Sequence, residues 1–258
     1  MVENSGILAL LNNRRKESVV HLQTVDSTNS CLRGLAQRGA QHGFTVIADE
    51  QTKGRGRFER SFISPKENGI YLSYLMRTNL GAADVASVTA YTAVAVRRAI
   101  KKVSGLNTDI KWVNDLLANG KKLCGILCES SVDGKGKVDY IIIGIGVNVK
   151  GADMFCAELQ NIATAIECEC KKTVSRERLA VEIIKQLDKM CKRFGKGEYL
   201  RQYKKACINV GKQTEVCVNG KTVGGMCVGI DNNCRLLIKT PDGEEVAVSS
   251  GEASIIKK

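Results

Sequence analysis

Aromatic residues make up only 5% of this 258-residue chain, and histidine occurs twice, at His21 and His42. Two histidines leave little room for a His-rich metal site or for Ser-His-Asp chemistry. No apolar run approaches the roughly 18 to 20 residues needed to cross a bilayer, which excludes a membrane-spanning helix. Met1 to Glu17 has no basic start followed by an apolar stretch and a small-residue cleavage site. Nothing marks it for export, so a cytoplasmic chain is expected. Negative charge is also short: 27 acids face 39 Lys and Arg, a formal net charge of +12. The eleven cysteines are odd in number and irregular in spacing, in a chain too long to need stapling, so reduced thiols are expected. Cys124 and Cys128 read as small core residues, since no second pair at zinc spacing accompanies them; Cys168 and Cys170 read the same way.

The chain does have enough apolar residues, 43%, for one large domain or one large plus one small. Between Lys171 and Lys205 twelve Lys and Arg face four acids, a surplus of eight. Leu179, Ile183, Ile184, Leu187 and Met190 recur there at helical spacing. A solvated helix face is the simpler account of this charge; a steering surface for an acidic partner is the sharper one. Upstream, strands are expected at Val19 to Leu22, Phe44 to Asp49 and Ile70 to Arg77. A helix capped within Asp26 to Asn29 should run to about Arg38, and an amphipathic helix should span Asp84 to Lys102. Glu50 to Asn68 is too irregular for either periodic element and reads as a functional loop. Further strands are expected at Asp109 to Trp112, Asp115 to Ala118 and Lys122 to Ser131, the latter two joined through the hairpin signal Asn119-Gly120. The β-branched run Val138 to Val147 follows a turn at Asp133-Gly134. After about Cys207, four short runs (Gln213 to Val218, Lys221 to Ile230, Cys234 to Lys239, Glu244 to Val248) suggest a small β-barrel appended to an α+β domain.

Three constellations carry chemistry. Gln51 to Arg60, with the run Gly54-Arg55-Gly56-Arg57, combines glycines that expose backbone N–H groups with arginines suited to carboxylate and phosphate. Lys111-Trp112-Val113-Asn114-Asp115 offers a cation for phosphate, an amide for orientation and a carboxylate for Mg²⁺. Lys121 to Glu129 leads after a turn to Gly144-Ile145-Gly146-Val147-Asn148. Strand alternation places Lys122, Cys124, Ile126 and Cys128 on one face. Gly125, Gly144 and Gly146 suit a flat ligand against the sheet, or, for Gly144, a helix packed on it. Each constellation alone also reads as an ordinary loop, hairpin or bulge.

In this order, preceded by Ser27-Thr28-Asn29, they resemble the biotin protein ligases over nearly the whole chain. Gln51 through Arg57 is similar to the family's Gln-x-x-Gly-Arg-Gly-Arg loop, Lys111 to Asp115 to its Lys-Trp-Pro-Asn-Asp, and Lys122 to Leu127 to its Lys-x-x-Gly-Ile-Leu. Gly144 to Asn148 is similar to its Gly-x-Gly-x-Asn, and Gly229-Ile230-Asp231 with Ser250-Gly251-Glu252 to its SH3-like barrel. Glu59 stands where another Gly is frequent, Phe62 where Trp is common, and Val113 where Pro is usual.

The resemblance implies a mixed α+β catalytic domain of the class II synthetase, biotin/lipoate ligase kind over residues 1–206, with a barrel over 207–258. It implies activation of biotin by ATP, with Mg²⁺, to biotinoyl-5′-AMP, then transfer to a lysine of a biotin carboxyl carrier protein domain. Arg57, Lys111, Asp115 and Lys122 would be catalytic, with Asp115 the Mg²⁺ contact. Biotin would be held by Ser27, Thr28, Asn29, Gln51, Gly54, Arg55, Gly56, Arg57, Lys122 and Gly125. The nucleotide would meet Arg57, Arg60, Lys111, Trp112, Asn114, Lys122 and Asn148. A biotin carboxylate is already ionised and needs no base, whereas the acceptor lysine, at a free pKa of about 10.4, does. Asp115 or desolvation of that lysine would serve. The roughly 18 residues before the first strand are too few for a three-helix DNA-binding domain, so a ligase without one is expected. A homodimer through sheet edges is left open. The rivals are a lipoate ligase, disfavoured by the Gly-Arg-Gly-Arg loop, and an RNA-binding module, disfavoured by scarce stacking aromatics.

Overall fold

A computed structural model describes residues 6–81, 84–132, 137–151, 161–218 and 220–256. Two short helical turns, α1 (Gly6–Ala9) and α2 (Asn13–Lys16), precede β1 (Val19–Val25). Next come α3 (Thr28–Gln37), β2 (Thr45–Gln51), β3 (Gly69–Arg77) and α4 (Val85–Ser104). Strands β4 (Asp109–Lys111), β5 (Asp115–Ala118), β6 (Lys121–Val132) and β7 (Val138–Asn148) complete a seven-stranded sheet. Its order is β1-β2-β3-β7-β6-β5-β4, with β1 parallel to β2 and the other neighbours antiparallel. Helices α5 (Ile166–Cys170), α6 (Arg176–Lys192) and α7 (Glu198–Ala206) lead to a second sheet. That sheet consists of β8 (Gln213–Val218), β9 (Lys221–Ile230), β10 (Leu236–Lys239), β11 (Glu245–Val248) and β12 (Glu252–Ile255), in the order β11-β10-β9-β8-β12.

Alternation along β3 divides the core. Leu72, Tyr74 and Met76 join the cluster that contains α4 and α6, while Leu75 joins Leu32 and Ala36 of α3 on the other face. Each fully buried Leu or Ile contributes about 1.5 to 3 kcal/mol, and Leu72, Ile100, Ile110, Leu116, Leu123 and Ile126 are all under 2% exposed. These residues make the large sheet a rigid floor for whatever lies on its α3 face.

Several elements differ from expectation. The basic stretch is two helices, not one, because Gly195 and Gly197 adopt φ of 80° and 67° between α6 and α7. The short α1, α2 and α5, and the final strand β12, have too little periodicity to be read. β10 begins at Leu236 rather than Cys234, because Asp231 Oδ1 accepts the N–H groups of Asn233 and Arg235 at 2.9 Å and holds the preceding turn. The expected hairpin at Asn119-Gly120 is present, both residues having positive φ (48° and 77°). The turn at Asp133-Gly134 lies outside the described residues, as does Asn219 in the turn before β9.

Candidate active site

A single register row explains why widely separated motifs meet. Lys111 of β4 pairs with Asp115 of β5, Asp115 with Gly125 of β6, Gly125 with Gly146 of β7, and Gly146 with Tyr71 of β3. The next row on the same face carries Leu127, Gly144 and Ser73. Cross-strand partners sit about 4.5 to 5.5 Å apart, so the rows form a floor with charge at one end and bare glycine backbone in the middle.

Lys122 reaches this floor against simple alternation, which placed it with Cys124 and Cys128. Opposite Leu116 and Leu117 the register slips: Leu116 faces Cys124 but Leu117 faces Lys122. One inserted residue reverses the side on which a side chain emerges. Cys124 therefore joins the core, while Lys122 Nζ lies 3.3 Å from where a Cβ on Gly125 would sit. It pairs with Asp115 Oδ1 at 2.8 Å.

The α3 N-terminus forms one wall. Ser27 is its N-cap but makes no side-chain capping bond. Gln51 of β2 does that work instead: its Oε1 accepts from Thr28 N at 2.9 Å and Thr28 Oγ1 at 3.1 Å, and its Nε2 donates to Ser64 at 2.9 Å. Ser73 donates to Asn29 Oδ1 at 2.5 Å, and Asn29 Nδ2 donates to Glu129 Oε2 at 2.7 Å. A Cβ on Gly144 would come within 2.3 Å of Asn29, so that glycine admits the helix. Gly146 instead admits the ring of Phe62, which a Cβ would meet at 2.4 Å.

The loop between β2 and β3 forms the roof. Its ends are tied by bridges from Gln51 to Ser64 and from Arg55 to Ser61, with a short helical turn at Arg57–Glu59. Arg57 Nη1 donates to Asn114 Oδ1 at 3.0 Å, and its guanidinium lies 4.8 Å over the Phe58 ring. Burial lowers the Arg57 pKa from its ordinary value against the pull of Asp115 and Glu252, yet guanidinium stays charged in proteins. Asn114 Nδ2 is held by the Ile126 carbonyl at 3.0 Å. The Trp112–Val113 peptide, where the family has proline, is cis.

Three adjoining hollows share Phe62 and Lys122. The first, about 60 Å³, is lined by Ser27, Thr28, Asn29, Gln51, Gly125 and Gly146. The second, about 130 Å³, brings Arg57, Arg60, Lys111, Asp115 and Lys122 together with Glu252 of the second sheet. The third, about 600 Å³, is lined by Arg60, Lys111, Asp115, Lys122 and Asn148, with Ile63 and Ile162 at 49% and 62% exposure. Arg55 and Gly56 line the first hollow, and Trp112 and Asn114 the second. Gly54 lines none of them: its carbonyl accepts the Phe62 N–H at 2.9 Å and closes the loop upon itself. Trp112 is 2% exposed, and its Nε1 donates to the Cys234 carbonyl at 3.0 Å, pinning the two sheets together.

Glu129 was not singled out from sequence. It gathers Asn29, Arg33 (2.6 Å) and Arg55 (3.2 Å) around one carboxylate. Counting by twos from Gly125 through Leu127 would have put it on the floor's face.

The sequence from 21 to 148 matches the model of the biotin/lipoate A/B protein ligase family, and 210 to 255 matches that of the biotin protein ligase C-terminal domain. The bifunctional ligase/repressor BirA of Bacillus spizizenii is 32% identical over 88% of this chain and 71% of its own length. The chain belongs to the biotin/lipoate A/B protein ligase family. Another member, the biotin--[acetyl-CoA-carboxylase] ligase of Mycobacterium tuberculosis, is 30% identical over 88% of this chain and 84% of its own. Among solved members of this family, the biotin protein ligase of Aquifex aeolicus in complex with biotin and ATP superimposes with a TM-score of 0.80 at 25% identity. It covers 94% of this chain and all of that one. The mixed sheet with helices and a separate C-terminal β domain is the expected α+β architecture.

Proposed function

We propose that the chain activates biotin with ATP to biotinoyl-5′-AMP, releasing pyrophosphate, and passes biotin to a lysine of a biotin carboxyl carrier protein domain. The observation that carries this reading is the convergence of Arg57, Arg60, Lys111 and Lys122 on one small hollow joined to a pocket lined by the hydrogen-bonding side chains of Ser27, Thr28 and Gln51. In the first step a biotin carboxylate oxygen bonds to the α-phosphorus and the bond to pyrophosphate breaks. Two anions must be brought together, so alignment and charge neutralisation are what the protein supplies. Lys122 and Arg57 face the bond being made and Lys111 the departing phosphates, with Arg60 at the rim of the hollow; Asn114 and Asn148 orient the nucleotide. Ser27, Thr28 and Gln51 suit the ureido ring, where an unpaired buried polar group would cost about 1 to 3 kcal/mol.

Mg²⁺ takes few protein ligands and several phosphate oxygens. No group of three or more His, Cys, Asp or Glu among the described residues suits a metal held by protein alone. Asp115, whose buried Oδ1 has only the ion pair with Lys122 Nζ at 2.8 Å, fits a single contact to an ion arriving with the nucleotide. That ion would neutralise phosphate charge.

The first hollow is far below the 300 Å³ or so of a usual ligand pocket. The Phe62 ring over Gly125 and Gly146 has to swing away for biotin to enter, which makes it the door of that pocket. In the second step the lysine nitrogen bonds to the acyl carbon, AMP leaves and the nitrogen gives up a proton. The mouth by Ile63 and Ile162 is where a carrier lysine would enter. The catalytic unit is taken as 1–206 and the barrel as 207–258, since α7 ends at Ala206 and the second sheet begins at Gln213. No helix among the described residues is long and apolar enough to cross a membrane.

Pyrophosphate release tests the reading. Purified protein with ATP and Mg²⁺ should release it on adding biotin and not on adding lipoate; lipoate-dependent release, or none with either acid, would overturn it.

A further inference from the structure

The three arginines of the roof loop are engaged in different ways. Arg55 Nη2 lies 3.2 Å from Glu129 on β6, and Arg57 turns inward to Asn114. Arg60 faces the second sheet: its Nη1 and Nη2 donate to the two carboxylate oxygens of Glu252, each at 2.7 Å. A catalytic-sheet carboxylate thus fastens the front of the loop and a barrel carboxylate its back. The 130 Å³ hollow that gathers the cations has Arg57 and Arg60 of the loop in its lining, with Glu252 and Ala253 as one wall.

The two ends of the Arg60–Glu252 pair differ in freedom. Arg60 rides on a loop and is 65% exposed in its side chain. Glu252 opens β12, whose next residue, Ala253, is 1% exposed and pairs with Val216 of β8. The barrel in turn is tied to the catalytic sheet by Trp112 to Cys234, by Ile208 N to Ile110 O at 2.9 Å, and by Trp112 N to Asn209 at 2.9 Å. Paired parallel N–H···O bonds of this type fix orientation as well as distance.

We propose that Glu252 is a positioning residue: through Arg60 the barrel latches the roof loop shut and so retains the activated acyl intermediate. The inference rests on the ligase reading. Glu252 acts on the loop and not on the reacting atoms. Losing it leaves the first step working and lets the mixed anhydride out before a carrier lysine arrives.

The test uses the full chain with Glu252→Gln and Glu252→Asp. Pyrophosphate release, thermal melting and biotin labelling of an unrelated lysine-rich protein are measured for each. The latch predicts normal melting and a normal first-turnover burst of pyrophosphate for both, with bystander labelling raised roughly two- to fivefold in Glu252→Gln, as expected for loosening one exposed bidentate pair, and restored toward the native level in Glu252→Asp. Unchanged labelling in Glu252→Gln, or equal leakage in both variants, would overturn it. Chymotryptic cleavage of the loop after the exposed Phe58 reads the latch without chemistry. It should quicken in Glu252→Gln and slow again when Arg60→Glu is combined with Glu252→Arg; no change in either overturns the latch. If the native protein releases no pyrophosphate, the ligase reading fails by itself while the cleavage experiment still decides the latch. Should Glu252→Gln fold poorly, Arg60→Gln removes the same pair from its exposed end, and native-like cleavage there also overturns the proposal.

Discussion

Lys122 enters the hollow only because β6 slips one residue against β5, and that slip lies in the backbone register, not in the residue pattern. Residue types were legible here, since Lys, Asp, Asn and the loop arginines stand in runs whose chemistry is plain; their facing was not. Gly144 shows the converse, a residue whose reason is contact. Gly144→Ala would press a methyl group into Asn29 and should destabilise the protein by about 1 to 3 kcal/mol, seen as a lower urea midpoint. An unchanged midpoint would mean Asn29 is not held against the sheet. Arg57→Gly removes both the hydrogen bond to Asn114 and the cover over the hollow. A hydrogen bond to a charged group contributes about 1.5 to 3 kcal/mol, so indiscriminate lysine labelling should rise by roughly ten- to a hundredfold. Normal retention of the intermediate in that variant would refute the role. Glu59 has φ of 59°, a region that favours glycine, which accounts for the glycine frequent there in the family.

Among elements, the strands and the two long helices were readable because their periods are strong and sustained. The junctions were not. Trp112 was expected near the nucleotide, yet its indole N–H goes to Cys234 and its backbone N–H to Asn209, so the same residue seats the barrel. No local pattern announces partners 97 and 122 positions away. Trp112→Phe leaves the Cys234 carbonyl without that donor and should cost about 1 to 3 kcal/mol, measured by chemical denaturation. It should also weaken the latch at Glu252, speeding chymotryptic cleavage of the loop; stability and cleavage both unaltered would show that the barrel is seated by other contacts. The Arg60 hydrogen bond holds the Glu252 carboxyl below its ordinary range. A depressed carboxylate contributes stability above its unfolded value and loses it as pH falls through the folded one, so the latch is intact at neutral pH.

Across the whole molecule, the basic charge is not where a steering surface for this site would be. Helix α6 packs with α4 on the face bearing Leu72 and Tyr74, whereas the hollows lie on the face bearing Ser73 and Asn29. An acidic carrier held on α6 would sit behind the sheet, so the plainer account of that charge, a solvated helix face, is the one the geometry favours. The described cysteines are free thiols, and burial pushes Cys128 up to about 12 and Cys207 and Cys234 up to about 11, from an ordinary 9.0. A raised thiol contributes stability that is whole below pH 9 and is lost as pH climbs through 11 to 12. The urea midpoint should therefore be lower at pH 10.5 than at pH 8; equal midpoints would mean these thiols ionise as freely in the fold as out of it. The most direct measurement is a crystal structure of the protein with a non-hydrolysable biotinoyl adenylate. Its acyl-phosphate linkage should lie against Lys122 and Arg57, with the biotin rings over Gly146 and the Phe62 ring displaced. A fourth hollow, about 630 Å³, is lined by Arg14 and Arg15 of α2 and by Lys185 and Lys192 of α6; a ligand bound there instead, with Phe62 still on Gly146, would contradict the assignment.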